Sequence, residues 1–392
     1  MILSEQKRAR LAVLKAIRHD GPVARGQLPR KTGLSAGTIT SVTAQFVASG
    51  LVVEQREEVS GRGRPRVNLS INADGAIVVG ATILGIGTLA VSFVDLAGSL
   101  LHSAEVRLEP ANSLPDMAQA LADALAEAIA ASPFAAPRIS RIGLALPAMV
   151  NPSAGTVLYM ATMPAEPTPF AAPLAKALGI PVTIENDMVV MARAEHWFGR
   201  AQALDSFTLI NFSFALGSAR YVDGLPWSGA NGLATEIGHT KLDAAPDARP
   251  CFCGGRGCVS AYSSIYGLLA AAGRLEGLAF PPVKGLDQRF GEFLDQAEAG
   301  DAVVLAHLHQ SATFLALALA NHVNASDPGT IVVLTPARLR AMIAERFDAV
   351  FAASVLPGIG AATRIIFAEP DPDWRWKGTA ALALEQTFLG AD

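Results

Sequence analysis

Gly33-Leu34-Ser35-Ala36-Gly37-Thr38-Ile39-Thr40-Ser41-Val42 reads as the turn and opening of a recognition helix. Ser35 is a natural N-cap, because its hydroxyl can accept an orphan backbone N–H of the first turn. From there Ile39, Val42 and Phe46 recur at helical spacing and face inward, while Thr38, Thr40, Ser41 and Gln45 point outward. Upstream, Leu11, Leu14 and Ile17 form one stripe of a helix over 5–18, with Lys7, Arg8, Arg10, Lys15 and Arg18 mostly elsewhere. Asp20-Gly21-Pro22 ends it. A short second helix is expected over about 26–32, with Pro29 tolerable near its first turn and Gly33 closing it as C′. Residues 51–54 and 67–71 then alternate like the two strands of a wing. The pattern predicts a winged helix–turn–helix over 1–72 whose third helix meets the major groove of double-stranded DNA.

Arg25, Ser35, Thr38, Thr40, Ser41 and Gln45 are the candidate duplex-facing residues of the helices. Thr and Ser are modest base readers, so phosphate contacts are expected among them. Between the wing strands lies Gly61-Arg62-Gly63-Arg64-Pro65-Arg66. Arg-Gly-Arg-Pro resembles the core of an AT-hook, whose extended arginines enter a narrow A·T minor groove. A wing in which Arg62, Arg64 and Arg66 touch only phosphates fits equally well. Charge agrees with either version. The net −4 conceals a basic head, in which residues 1–70 carry twelve Lys/Arg against five Asp/Glu, on an acidic remainder with nineteen against thirty.

At 392 residues, 51% apolar and 17% charged, the chain is expected to be compact and globular, with two or three folding units. Met1-Ile2-Leu3-Ser4 runs straight into Glu5-Gln6-Lys7-Arg8, which gives no cleavable signal. The most apolar helical stretch, 303–323, is broken by His307, His309, Gln310 and Asn321, which argues against a membrane span. A cytoplasmic location is therefore expected.

From Ile77 the texture changes to short apolar strands, over 77–83, 88–94 and 100–106. Ser113-Leu114-Pro115-Asp116 is a capping box opening a helix to about 131. Strands follow at 139–145 and 181–185, the latter leading through Asn186-Asp187 into a helix to about 198. A second set begins with a strand at 207–212, and continues with a long helix over 301–324 and a strand at 331–334. Strand triplets followed by helices, seen twice, predict a duplicated α/β architecture with a cleft between lobes.

All three cysteines fall within Cys251-Phe252-Cys253-Gly254-Gly255-Arg256-Gly257-Cys258, and His239 lies just upstream in Glu236-Ile237-Gly238-His239. Three thiolates and an imidazole make the closed tetrahedral set that structural Zn²⁺ favours, and the glycines let a short loop wrap the ion. The competing explanation is three unrelated buried thiols, or a disulfide with one left over. A C-x-C pair is too close for a relaxed disulfide.

Taken together, these features resemble the ROK family (repressors, open reading frames, kinases), and the winged head resembles its repressor branch. The match covers essentially the whole chain. Its anchors are Gly33-Leu34-Ser35, Gly61–Pro65, Glu185-Asn186-Asp187, Gly229–His239 and the C-x-C-G-x-x-G-C loop. The resemblance implies an actin-like, ribonuclease-H-like sugar-kinase fold of two lobes, 76–185 and 186–374. A C-terminal helix over 375–390 is expected to complete the first, with a sugar bound between them. It also implies that Asn186 and Asp187 bond sugar hydroxyls, Asp187 standing where the kinases keep their base, and that Glu236 and His239 look toward the sugar. Carboxylates and an amide suit vicinal hydroxyls, and leave mismatched ligands unpaired. His239 can give one nitrogen to the metal and offer the other to the pocket. Asp187 would also suit a helix N-cap.

Phosphoryl transfer needs glycine-rich turns that aim backbone N–H groups at phosphates, and a carboxylate near Mg²⁺. Where the family reads D-x-G-G-T, this chain has Ile83-Leu84-Gly85-Ile86-Gly87; where kinases read G-T-G-x-G, it has Ser213-Phe214-Ala215-Leu216-Gly217. Thr335-Pro336 replaces a Gly-Gly pair. Ser260 stands in place of a sugar-binding Glu, and Ala148 in place of a glycine. Trp227, Tyr262 and Tyr266 are either sugar-stacking aromatics or ordinary core. The resemblance and these departures together imply a DNA-binding regulator without kinase activity. It would repress carbohydrate genes from an operator, bind a sugar or sugar derivative, and act as a homodimer or dimer of dimers. The alternatives are an active sugar kinase with a DNA-binding head, and an effector-independent DNA-binding protein.

Overall fold

A computed structural model describes residues 4–56, 67–85, 87–161, 163–164, 166–230, 232, 235–275 and 285–390. Contacts divide the chain into two compact units. The first comprises Met1–Leu158, Glu166–Val190 and Arg375–Asp392; the second comprises Tyr159–Ala165 and Met191–Trp374. The basic head thus belongs to the same unit as the first sheet. The lobe boundary expected after 185 precedes helix Asp187–Trp197, whereas the contact boundary cuts that helix between Val190 and Met191.

In the head, α1 (Glu5–Asp20) buries Leu11, Leu14 and Ile17, as its stripe requires. The two-residue strand β1 (Val23–Ala24) and α2 (Leu28–Thr32) follow, with Pro29 in the first turn of α2. Gly33 ends α2 at φ 72°, donating its N–H to the Pro29 carbonyl. Helix α3 (Ala36–Ala48) starts at Ser35, whose hydroxyl accepts the Thr38 N–H at 3.1 Å, and buries Ile39, Val42 and Phe46. Strands β2 (Val52–Arg56) and β3 (Val67–Ile71) pair antiparallel, and β1 adds to β3 through Val23 and Leu69. That extra strand was too short to carry a periodic signal.

The rest of the first unit is built on β4 (Ile77–Leu84), β5 (Thr88–Asp95) and β6 (Leu100–Arg107), an antiparallel meander. Helix α4 (Leu114–Ala131) opens on the Ser113 cap and leads to β7 (Ile139–Leu146). Next come the small sheet β8 (Ala148–Asn151), β9 (Thr156–Met160), β10 (Thr168–Pro169), then α5 (Ala171–Leu178), β11 (Val182–Asn186) and α6 (Asp187–Trp197). The main sheet has the order β11-β7-β4-β5-β6.

The second unit repeats this logic. Strands β12 (Phe207–Phe212), β13 (Leu216–Val222) and β14 (Leu225–Pro226) form its meander. After α7 (Ile265–Ala271), α8 (Leu286–Glu298) and α9 (Ala302–Ser326) come β15 (Thr330–Leu334), α10 (Ala337–Ser354), α11 (Pro357–Gly360) and β16 (Arg364–Ala368). Their sheet runs β14-β13-β12-β15-β16. Helix α9 has the length and apolarity to cross a membrane. Its Leu308, Ala312, Leu315, Leu319 and Val323 instead pack with Phe293, Ile331 and Val333 in the core of this unit. Finally α12 (Trp374–Leu389) returns the chain to the first unit, burying Gly378 to Glu385 almost continuously.

Candidate ligand, metal and duplex-binding residues

Asn186 and Asp187 stand where β11 becomes α6. The Asn186 carboxamide is already employed: Oδ1 accepts the N–H groups of Met188 and Val189, and Nδ2 donates to the Ala148 carbonyl at 3.0 Å. The helix cap therefore belongs to Asn186, and Ala148 helps to orient it. Asp187 Oδ1 accepts the Met188 N–H at 2.8 Å. Burial pushes its carboxyl up to about 6, against the pull of the Met188 N–H and of the Arg375 guanidinium. A carboxyl held in that range accepts or donates near neutral pH, which suits a hydroxyl ligand.

In the second unit, Glu236 precedes a 3₁₀ turn, Ile237–His239. Strand β13 sets this turn: Ser218 Oγ accepts the Ile237 N–H at 3.2 Å and donates to the Thr235 carbonyl. Gly238 passes so close to the Leu216 carbonyl that a Cβ would collide with it. Glu236 is exposed.

His239 Nδ1 and the Sγ atoms of Cys251, Cys253 and Cys258 all lie within 4.8 Å of one another. Cys251 Sγ is 3.7 Å from His239 Nδ1, and Cys253 Sγ is 3.6 Å from Cys258 Sγ. A tetrahedron with Zn–S bonds near 2.3 Å has edges of about 3.8 Å, so the four donors fit one ion. Burial and the nearby Lys241 ammonium keep the His239 imidazole below its usual pKa, hence neutral and able to ligate. Lys241 Nζ lies 2.6 Å from Cys258 Sγ, a cation beside the cysteine sulfurs. The loop is held by short bridges, Lys241 to Cys258 and Pro250 to Arg256, and by Gly254 and Gly257 at φ 84° and 72°.

Both tyrosines, Tyr262 and Tyr266, are buried in the core. Tyr262 stacks on Phe314 with centroids 3.9 Å apart, accepts the Arg249 N–H and donates to Asp243, so it braces the cysteine loop against α9. Tyr266 is buried against Phe214 and Phe252. Trp227 is exposed, beside Arg220. Ser260 is 1% exposed and its Oγ accepts the Leu216 N–H at 3.0 Å, which turns it toward the β12–β13 hairpin.

That hairpin is the second of the two glycine-rich positions. The carbonyls of Ser213 and Phe214 accept the N–H groups of Ile265 and Tyr266 at the start of α7. The Phe214 ring lies 5.6 Å from Tyr266 and 6.5 Å from Phe252, between Cys251 and Cys253. The turn thus offers spent carbonyls and an aromatic ring where a phosphate cradle needs converging N–H groups. At the first position Gly85 and Gly87 keep φ values of 54° and 81°, and Ile86 lies outside the described residues. Thr335 follows β15 with its N–H on the Ala368 carbonyl and its hydroxyl buried.

On the head, Ser35, Thr40 and Ser41 are exposed along α3 and Thr38 is half-buried. Thr40 returns its hydroxyl to the Ala36 carbonyl. Two expected duplex contacts are engaged internally: Arg25 pairs with Glu54, and Gln45 accepts from Arg10 at 2.6 Å. Gln45 is exposed one helical turn after Ser41, with its carboxamide held by Arg10. Arg62, Arg64 and Arg66 lie outside the described residues. Lys241, Phe214 with Phe252, and the Asp243–Tyr262–Arg249 brace were not singled out as parts of one site. A lysine two residues beyond His239 was the one signal available in the sequence.

A profile described as "ROK family" matches residues 79–371. The xylose repressor of Caldicellulosiruptor bescii is 23% identical over 335 residues, covering 83% of this chain and 82% of that protein. A glucokinase of Halalkalibacterium halodurans is 26% identical over 252 residues, covering 63% of this chain and 76% of that protein. Among solved structures, a ROK family transcriptional regulator, a homologue of the E. coli MLC protein, superposes with a TM-score of 0.80 at 24% identity, covering 98% of this chain and 97% of that one.

Proposed function

The chain belongs to the ROK family, and from that premise we propose that it is a DNA-binding transcriptional regulator, a repressor of carbohydrate-utilisation genes. The observation that carries this reading is the described helix–turn–helix and its paired wing strands β2 and β3, with exposed Ser35, Thr40 and Ser41 along α3, built into the same unit as a ROK sheet. The match to a xylose repressor along most of both chains supports it. A sugar or sugar derivative is the effector, recognised by Asp187, by the remaining Asn186 amide hydrogen, by Glu236 and by the second nitrogen of His239. A homodimer presents two heads to a palindromic operator, and a ligand acts by binding one arrangement of the heads better than another.

Structural Zn²⁺ is held by His239, Cys251, Cys253 and Cys258, where it fixes the loop that follows the Glu236 turn. Phosphoryl transfer is not part of the proposal, because Phe214 and the spent carbonyls of its hairpin oppose phosphate binding. The kinase reading draws on Asp187, whose raised pKa suits a base, and on the glucokinase match. Incubation with labelled ATP and a hexose panel separates the two: Asp187-dependent turnover would overturn the regulator reading. For the regulator, titration of duplex fragments from the region upstream of its own gene should give salt-dependent, sequence-selective binding that weakens on Ser41→Ala. Thermal shift with pentoses, hexoses and their phosphates should find a ligand whose effect disappears in Asp187→Ala.

A further inference from the structure

Helix α12 touches two places that the proposed function treats separately. Near its start, Gly378 approaches the Val190 carbonyl on α6 so closely that a Cβ would collide with it. Val190 lies one turn after Asp187, and Arg375 is near enough to that carboxylate to stabilise its charge. Further along, Gly80 of β4 and Gly143 of β7 leave the notches that receive Thr379 and Ala383. At the far end the Phe388 carbonyl accepts from Arg10 Nε at 2.8 Å. The Phe388 ring meets Phe46 of α3 edge-on at 5.5 Å, and the Arg10 guanidinium lies 4.9 Å over the same Phe46 ring. Arg10 also donates to Gln45, the residue beside Phe46.

We propose that α12 is a rigid rod coupling the first turn of α6 to the recognition helix, with Phe388, Arg10 and Phe46 as its joint. Sixteen helical residues span roughly 24 Å. Seated in glycine notches and buried from Gly378 to Glu385, such a helix shifts or tilts as one piece. A displacement of the Asp187 turn therefore reaches α3 without passing through the wing. Phe46 is fully buried and belongs to the head's own core, so the joint holds α3 by its inner face and leaves its outer face to DNA. Arg10 and Gln45 are in this account positioning residues, since Arg10 ties both the Phe388 carbonyl and the Gln45 carboxamide beside Phe46. The assignment of Asp187 to a ligand comes from the proposed function; the mechanical link does not depend on it.

Hydrogen exchange on the full chain tests the rod without any ligand. Phe388→Ala is expected to raise amide exchange across 36–48 at least tenfold, with β4 and β7 unchanged. Val190→Ala, which opens the contact with Gly378, is expected to raise the same peptides severalfold in the parent and to add nothing in the Phe388→Ala background. Indifference of 36–48 to Phe388→Ala would overturn the proposal, and so would a Val190→Ala effect that is absent or survives intact in the double variant. If Phe388→Ala also loosens β4 and β7, Arg10→Gln takes its place with the same two outcomes, since it removes only the bonds at the joint. A sugar panel that finds no ligand would remove the effector reading while leaving these exchange results standing, so the two failures are distinguishable.

Discussion

Strands β4, β5, β6, β7 and β11 occupy the same relative places in the first unit's sheet as β12, β13, β14, β15 and β16 in the second, with the same parallel and antiparallel pairings. What leaves the sheets differs. The β4–β5 turn keeps two glycines at positive φ, whereas the β12–β13 turn carries Phe214 inside an aromatic cluster. The first sheet ends in Asn186-Asp187 and is finished by α12; in the second, β15 runs into Thr335-Pro336 and the β13 side is braced by the cysteine loop. A shared strand order therefore fixes where turns stand, and the side chains at those turns decide which ligand chemistry survives.

The cysteine loop has no counterpart in the first unit, so its loss should be the most one-sided change. Cys253→Ser, or treatment with a chelator that removes the proposed zinc, is expected to cost more than about 3 kcal/mol, read by chemical denaturation. Hydrogen exchange should rise across 237–262 while β4 and β7 stay protected. Equal loosening of both sheets would break the contrast.

Phe214→Ala removes a half-buried ring and should destabilise by about 2 kcal/mol, without creating nucleotide binding, because the Ser213 and residue-214 carbonyls remain committed to α7. ATP affinity measured by calorimetry checks the second clause.

Asp187 offers a pH test with the opposite sign. Its folded pKa of about 6 lies above the ordinary 3.8, so the ionised group costs stability above pH 6, and the cost vanishes as pH falls through 6 toward 4. Asp187→Asn should be more stable than the parent by roughly 1–3 kcal/mol at pH 8, with the gap closed at pH 4. Urea melts at the two pH values decide it. Smallest of all, Gly85→Ala meets open space at φ 54° and should cost about 1 kcal/mol from backbone strain alone, seen as a modest fall in Tm.

Much of this was legible because short-range physics wrote it. The Ser35 cap, the Gly33 stop, the Ser113 capping box and the strand limits all rest on neighbouring residues, and the structure places them within a residue or two of the expected limits. The Cys/His cluster was legible for the same reason, since its spacing is itself the chemistry. Partnerships set by tertiary packing were not. Sequence alone leaves Tyr262 open between sugar-stacking and core and marks Ser260 only as a replaced Glu, and it does not show that each is committed to a distant backbone group. Polarity marks Gln45 as outward-pointing but does not disclose its bond to Arg10, 35 positions away. The topology of the second sheet could be anticipated from repetition, but the meaning of Phe214 needed Phe252 and Tyr266 to be seen around it.

The last helix also governs when this protein can become itself during synthesis. Gly80 and Gly143 emerge from the ribosome early, shaped to receive Thr379 and Ala383, which are translated hundreds of residues later. Until then the first sheet has an unfilled face and Phe46 lacks its edge-on partner. Such late closure across long sequence separation is slow and exposes apolar surface meanwhile. A chain lacking α12 would therefore carry a head whose Phe46 has no Phe388 to meet, and the head gains its hold only after residues 374–389 have been made.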